Sequence, residues 1–429
     1  MRGERVFVLD YDLVSPLGVG NAAVLSSLEN NYLAGGRITR FPTEGMNFSI
    51  AAEVKGDLSG FYGKEDSRIQ QALHFDRKLE LMVCCFHKMK SRLEHLFSGI
   101  APERAGVSLG VGSDVIPFER VDQVLNRFSD NPSLAYGNAI DTLNRNGSRI
   151  HNVLNPCDFT ALYLAGKLQL AAFQQVILTA CAASTQAIAM AFNRIRGGEA
   201  DMVLAGGTDA IIDMISYTAF SKLGVVASDK EAVNQTCRPF DISRDGTLAG
   251  ESASLIVLAG EKTVREMSLE PRLEIIGYGN TLDGHKITAP DPNARGMIRS
   301  LEQALSHSGI RPEQVDYINL HGTGTLANDP LELMAVEQVF GEYAQELPIS
   351  STKDRHGHAI AAAGGQEFVI TCLCMENDLI PCNVNLRKPI NETGVRLIKD
   401  KNISRRLDVC MTSNFAFGGV NTVLAVKKV

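Results

Sequence analysis

An α/β protein with buried strands is what this 429-residue sequence predicts, and three observations lead there. Short runs of β-branched and aliphatic residues alternate with segments of helical period. Glycine-containing turns separate them. The length exceeds the usual size of one hydrophobic core, so two or three domain-sized units are expected.

The elements follow in chain order. Val6-Phe-Val-Leu reads as a strand, closed by the turn Ser15-Pro-Leu-Gly. Leu79 to Leu96 reads as a long helix, and Val107-Ser-Leu-Gly-Val-Gly as a short strand entering glycines. Val176 to Leu178 and Met202 to Ala205 are strands on either side of a helical segment, in which Ile188, Phe192 and Ile195 recur at i, i+4 and i+7 and Gly197-Gly198 marks the end. Ser252 to Leu258 is a further strand. The second half repeats the rhythm: Leu273-Glu-Ile-Ile-Gly-Tyr-Gly and Val315-Asp-Tyr-Ile-Asn-Leu as strands, Met297 to Ser308 and Leu331 to Phe340 as helices, and Val423 to Val426 as a closing strand. The charged stretch from Gly260 to Glu270 divides the chain into units 1–260 and 261–429, whose similar order of elements suggests a duplicated architecture without direct sequence identity.

A net charge of −7 disfavours broad binding to nucleic acid or anionic membranes. The N-terminus has no long apolar stretch of an export signal, and no segment approaches the roughly 18 apolar residues of a membrane span. Nine scattered cysteines, an odd number, show no disulfide framework, and a reducing cytoplasm is the expected compartment. Cys372 and Cys374 lack a second pair at zinc-ligand spacing, so no metal is expected there.

Chemistry concentrates in four segments, each following an apolar strand. They are Thr179-Ala-Cys-Ala-Ala-Ser, His321-Gly-Thr-Gly-Thr-Leu-Ala-Asn-Asp-Pro-Leu-Glu, Ser351-Thr-Lys-Asp-Arg-His-Gly-His, and Asn414-Phe-Ala-Phe-Gly-Gly-Val-Asn. In α/β sheets, sites gather beyond the carboxyl ends of strands, so the four segments are expected to meet. The strand–turn–helix pattern around Cys181 places its sulfur at a helix N-terminus, where free N–H groups favour a thiolate.

In this order and spacing the segments resemble the β-ketoacyl-acyl-carrier-protein synthases I and II, the elongating condensing enzymes of the thiolase superfamily. Ser15-Pro-Leu-Gly, Arg238-Pro-Phe-Asp-Ile-Ser-Arg-Asp-Gly and Thr288-Ala-Pro-Asp-Pro extend the likeness over nearly the whole chain. The resemblance implies a thiolase-like fold, with duplicated halves in a five-layered α-β-α-β-α arrangement. It implies a decarboxylative Claisen condensation: Cys181 takes the acyl group, His321 and His358 assist loss of CO₂ from a malonyl thioester, and the backbone N–H groups of Cys181 and Phe417 hold the oxyanion. Lys353 and Glu367, with Asp329 and Glu332 nearby, match supporting positions. Thr323 and Thr325 match a pantetheine tunnel, and Phe415, Phe417, Gly418 and Gly419 match a mobile gate. His356 reads as a bystander. The implied partners are an acyl carrier protein, with substrates on its phosphopantetheine and no bound cofactor, and a second subunit in a homodimer or a related heterodimer.

The chain also departs from the pattern. Thr247 stands where an aromatic is usual, Lys286 displaces an expected His, and Ala416 replaces a Gly in the gate. The segment Gln70 to Arg77 is poor in positive charge, with Arg77, Lys78 and Arg238 as candidate docking cations. These departures favour a specialised polyketide- or polyene-type enzyme over the main fatty-acid elongase. The competing readings are a non-catalytic chain-length-factor-like partner, which would lack the nucleophile, and a thiolase-type or starter-type enzyme, which would carry Cys or Asn in place of His358.

Overall fold

The computed structural model describes residues 4–63, 65–113, 157–230, 232–390 and 394–429; the first three residues of the N-terminal segment assessed for an export signal lie outside that set. The first half builds on β1 (Val6–Ser15), β2 (Ala105–Val111), β3 (Gln174–Ile177), β4 (Met202–Ala210) and β5 (Glu251–Gly260). The second builds on β6 (Leu273–Leu282), β7 (Tyr317–Asn319), β8 (Pro348–Ser350), β9 (Val409–Phe415) and β10 (Val420–Lys428). The spatial order is β1-β5-β4-β2-β3 in the first half and β6-β10-β9-β7-β8 in the second. Counted within each half, both read 1-5-4-2-3. Directions match too: the first three strands of each order alternate, and the last two pairings are parallel. The sequence has diverged while the topology has not. The halves join where Val6–Val8 of β1 pairs with Leu273–Ile275 of β6.

The helices fill three layers around these strands. Helices α1 (Arg77–Ser98) and α2 (Phe159–Leu168) cover the outside of the first half. Helices α3 (Ala183–Arg196) and α6 (Ala363–Asn377) lie between the two sets of strands and pack on each other. Helices α4 (Arg295–Ser308) and α5 (Asn328–Phe340) cover the outside of the second half. The result is the five-layered α-β-α-β-α arrangement. Three apolar cores correspond to the interfaces: one around α1 with Phe86 and Leu109, a central one with Phe192, Ile256 and Phe368, and one around α4 with Leu301 and Ile318. Being covered on both faces, β5 is buried at every one of its ten positions. It therefore shows no polar alternation, as expected of strands between helical layers.

The central helices touch closely enough to demand glycine. A Cβ added to Gly364 would lie 1.8 Å from Thr185 Oγ1 and 2.8 Å from Asn414 Oδ1. We expect Gly364→Ala to lower stability by at least about 1–3 kcal/mol, read by denaturant unfolding, because Thr185 is fully buried and cannot move aside.

Candidate active site

Each half supplies its third strand, a strained turn and a central helix. After β3 the chain passes Ala180 at φ 46° and Cys181 before entering α3. After β8 it passes His358 and Ile360 at φ 38° before entering α6. Left-handed φ at a non-glycine residue is uncommon, and for a β-branched Ile it is a strained conformation. Here the same device occurs twice, next to the sulfur in one half and next to an imidazole in the other. Asp209, at the end of β4, fastens the second turn by accepting from the N–H of Ala361 at 3.0 Å.

Cys181 Sγ lies 3.0 Å from His358 Nε2. Ligating atoms of Cys181, His321 and His358 all fall within 4.8 Å of one another, and the two imidazoles meet edge to face with centroids 5.1 Å apart. All three residues line one cavity of about 300 Å³. The N–H groups of Cys181 and Phe417 are both directed at the sulfur.

His321 is fixed by what lies behind it. Its Nδ1 faces Lys353 Nζ at 3.2 Å and Asn414 Nδ2 at 3.4 Å. Both are donors, so Nδ1 accepts and the ring proton sits on Nε2. Lys353 is fully buried; it also donates to His321 O at 2.7 Å and pairs with Glu367, which in turn accepts from Asn414 Nδ2 at 2.7 Å. Asn414 also bonds Thr185 of α3. In His358, by contrast, Nδ1 has no hydrogen-bond partner among the described residues.

The acidic residues divide. Glu367 belongs to the Lys353–His321 network. Glu332 accepts from the N–H groups of His321 and Gly322, both at 2.7 Å, and so shapes the turn beneath the ring. Asp329 accepts from the N–H groups of Phe240 at 2.8 Å and Gly324 at 3.2 Å, clamping two loops and not reaching the imidazoles. His356 has its ring nitrogens on Gly357 O and Thr352 Oγ1 and is fully engaged in its own turn.

Burial dominates the electrostatics. It pushes the Cys181 thiol up to about 12, against the opposing pull of Lys353 and of the two N–H groups. It also drives His321 and His358 well below the usual imidazole range, assisted by the Lys353 charge. The resting pair is a neutral thiol on a neutral imidazole. That corrects the thiolate read from the sequence: desolvation outweighs the helix terminus at this depth. Alkylation of Cys181 by iodoacetamide should accordingly accelerate about tenfold per pH unit from pH 7 to 10, as the thiolate fraction grows below a pKa of about 12. A plateau below pH 9 would contradict this.

Thr323 and Thr325 line the cavity with their hydroxyls 2.9 Å apart. Phe415 and Phe417 also line it. Gly418 and Gly419 do not; they turn the chain behind Phe417 at φ 84° and 78°, conformations that suit glycine.

Sequence comparison places this geometry. Residues 67–263 match the β-ketoacyl synthase N-terminal domain, and residues 273–387 match the β-ketoacyl synthase C-terminal domain. The chain belongs to the β-ketoacyl synthase family. A 3-oxoacyl-[acyl-carrier-protein] synthase 2 from Synechocystis sp. is 30% identical over 426 residues, spanning 99% of this chain and 98% of that protein. One of the same name from Coxiella burnetii is 29% identical, with full coverage of both chains. Among solved structures, a β-ketoacyl synthase from Burkholderia phymatum superposes with a TM-score of 0.82 at 25% identity, covering 99% of this chain and 100% of that one. The ishigamide ketosynthase/chain length factor gives a TM-score of 0.82 at 24% identity with full coverage, a likeness of fold.

Within this β-ketoacyl synthase, the departures acquire places. Ala416 keeps a negative φ in the turn, so its Cβ fits without strain. His285 and Lys286 are exposed and do not line the cavity. Two proposed docking cations are otherwise engaged: Arg77 bridges Glu80 and the fully buried Glu251, and Lys78 is buried with its Nζ on Ser113 O at 3.1 Å. Arg238 keeps partial exposure while donating to Gln235 O. Among the described residues, no helix is long and apolar enough to cross a membrane.

Sequence reading missed Asn414, although it opens the fourth segment; its value appears only where Glu367, His321 and Thr185 converge on it. It also missed Asp209 and Ile360, whose roles lie in backbone geometry that no motif encodes.

Proposed function

We propose that this protein extends acyl chains by two carbons through decarboxylative condensation with a malonyl thioester. The observation that carries this reading is the shared cavity of one thiol and two differently held imidazoles. The halves 1–260 and 261–429 act as two units, one presenting the sulfur and the other both rings.

In the first half-reaction His358 Nε2 takes the thiol proton, and the Cys181 sulfur attacks the carbonyl carbon of an acyl-pantetheine thioester. The developing oxyanion lies between the N–H groups of Cys181 and Phe417. Collapse expels the pantetheine sulfur, which receives the proton from His358. In the second half-reaction the one proton of the neutral His358 ring exchanges from Nδ1 to Nε2, and the malonyl thioester carbonyl accepts from His321 Nε2–H and His358 Nε2–H. The bond to the carboxylate breaks, CO₂ leaves, and the electron pair moves onto the stabilised enolate oxygen. The enolate carbon then attacks the carbonyl carbon of acyl-Cys181, the tetrahedral oxyanion collapses, and the sulfur leaves as a thiolate that takes up one proton from solvent.

The two histidines suit different duties. His321 is held as a permanent donor by Lys353 and Asn414. His358, unfixed at Nδ1, is free to accept a proton in one step and donate a hydrogen bond in the next. An acyl carrier protein as donor, and a second subunit, fit the family and the chain-length-factor complexes among its structural relatives. A soluble cytoplasmic setting accords with a substrate carried on such a protein. Retention of Cys181 with both histidines supports catalysis over a non-catalytic partner role, and His358 favours elongation over thiolase chemistry.

Intact-mass spectrometry after incubation with acyl-carrier protein tests the reading. One acyl adduct on Cys181, discharged on adding malonyl-carrier protein, is the expected result. An adduct elsewhere, or none, would refute it.

A further inference from the structure

The imidazole of His358 belongs to the second half of the chain, yet the first half holds its backbone. His358 N donates to Leu248 O at 2.7 Å, and Gly250 N donates to His358 O at 3.0 Å. Two residues later, Ile360 takes its left-handed φ of 38°. Such strain persists only where the surroundings hold it in place. The hold on the far side of Ile360 is again from the first half: Asp209 Oδ2 accepts from Ala361 N at 3.0 Å. The other oxygen, Oδ1, accepts from Ala210 N at 2.8 Å. Both oxygens of this carboxylate are therefore acceptors in use. It is buried and tightly enclosed, since a Cβ added to Gly112 would lie 1.9 Å from Oδ1.

A buried carboxylate is a costly acceptor for backbone N–H groups. Here it also opposes the neighbouring chemistry, because its charge raises the Cys181 thiol further. Both costs are offset if it fixes geometry that acyl transfer needs. His358 Nε2 sits 3.0 Å from the sulfur, and Ile360 packs beside Cys181 in one apolar cluster. A turn that relaxed at Ile360 would move the ring away from the thiol.

We propose that Asp209 is a positioning residue for acyl transfer, its ionised carboxylate holding the Ile360 turn and so keeping His358 Nε2 on the Cys181 sulfur. This rests on the condensing-enzyme reading and names what aligns its two halves. The charged or titratable groups facing Asp209 are Lys78 of α1, Asp76 just before that helix, and Cys181. Burial pushes the Asp209 carboxyl up to about 6, against the pull of the two N–H groups and of Lys78. The carboxylate is thus ionised at pH 7.5 and gains a proton as the pH falls through about 6. That proton, like the amide of an asparagine, sets a donor against one of the two N–H groups.

The test follows acylation of Cys181 by hexanoyl-pantetheine, which has no carboxyl group of its own, from pH 5 to 8. It compares the wild type, Asp209→Asn and Asp354→Asn, with thermal unfolding of each sample. Asp354 is the control because it too is pushed up to about 6 by burial. The saturated wild-type rate should fall about tenfold between pH 7 and 5 while the protein stays folded. Asp209→Asn should be about 10–100-fold slower at pH 7.5, with an unchanged half-saturating concentration and no fall toward pH 5. Asp354→Asn should keep the fall. A wild-type rate that is level from pH 7 to 5, a wild-type rate in Asp209→Asn, or a fall that persists there would overturn the inference. If Asp209→Asn does not fold, Asp354→Asn decides: loss of the fall in that variant overturns it and retention supports it. Failure of the wild type to acylate Cys181 at any pH would instead overturn the condensing reading beneath it.

Discussion

Cys181→Ala should lower condensation by at least about 10⁴-fold, the scale on which loss of a nucleophile is felt when nothing nearby replaces it. No other thiol substitutes: among the described residues lining the cavity, Cys181 is the only cysteine. The variant should still fold. Cys181 packs against Ile211, Tyr217 and Ile360 in a small apolar cluster, and deleting one sulfur there costs about 1 kcal/mol. The N–H pair and both imidazoles stay in place, so malonyl thioester should still bind and lose CO₂. Steady-state condensation, thermal unfolding and CO₂ release, measured on the same preparation, separate the loss of acyl transfer from a general collapse of the site.

Lys353→Met should produce the second largest effect, on stability and activity together. Lys353 and Glu367 are both fully buried and paired. Removing one partner leaves an uncompensated carboxylate, at a cost of about 3–5 kcal/mol. It also releases His321 Nδ1 from a donor that fixes its tautomer, so its Nε2–H no longer points reliably at the cavity. A loss of CO₂ release of about 10²–10³-fold is expected, comparable to deleting one oxyanion donor. The double variant Lys353→Met, Glu367→Gln removes both charges. It should recover most of the stability but not the CO₂ release. Recovery of both would mean that Lys353 serves only as one half of an ion pair.

Much of this was legible in the sequence, and what was missed has physical causes. The α3 period of Ile188, Phe192 and Ile195 was readable because that helix presents one apolar stripe to the central core. Its counterpart α6 was not: Ala363 through Met375 is buried on all sides, so its apolar residues trace no stripe. The strand β8 escaped notice because it has three residues and begins with Pro348. Within the site, the motifs named the sulfur and both rings. They could not reveal that Asp329 clamps loops while Glu367 holds the lysine, since both are acidic residues near a histidine in sequence or motif. That distinction depends on which N–H each carboxylate meets. The protonation state of Cys181 was likewise beyond reach, because the helix terminus is visible in the sequence and the depth of burial is not.

On the proposed function, one cavity joins a sulfur that carries the acyl chain to two rings that drive decarboxylation. CO₂ release from labelled malonyl-carrier protein, compared among the wild type, Cys181→Ala and His321→Ala, tests it most directly. Cys181→Ala should release CO₂ without condensation, and His321→Ala should release it at least about 100-fold more slowly. Undiminished release from His321→Ala would contradict it.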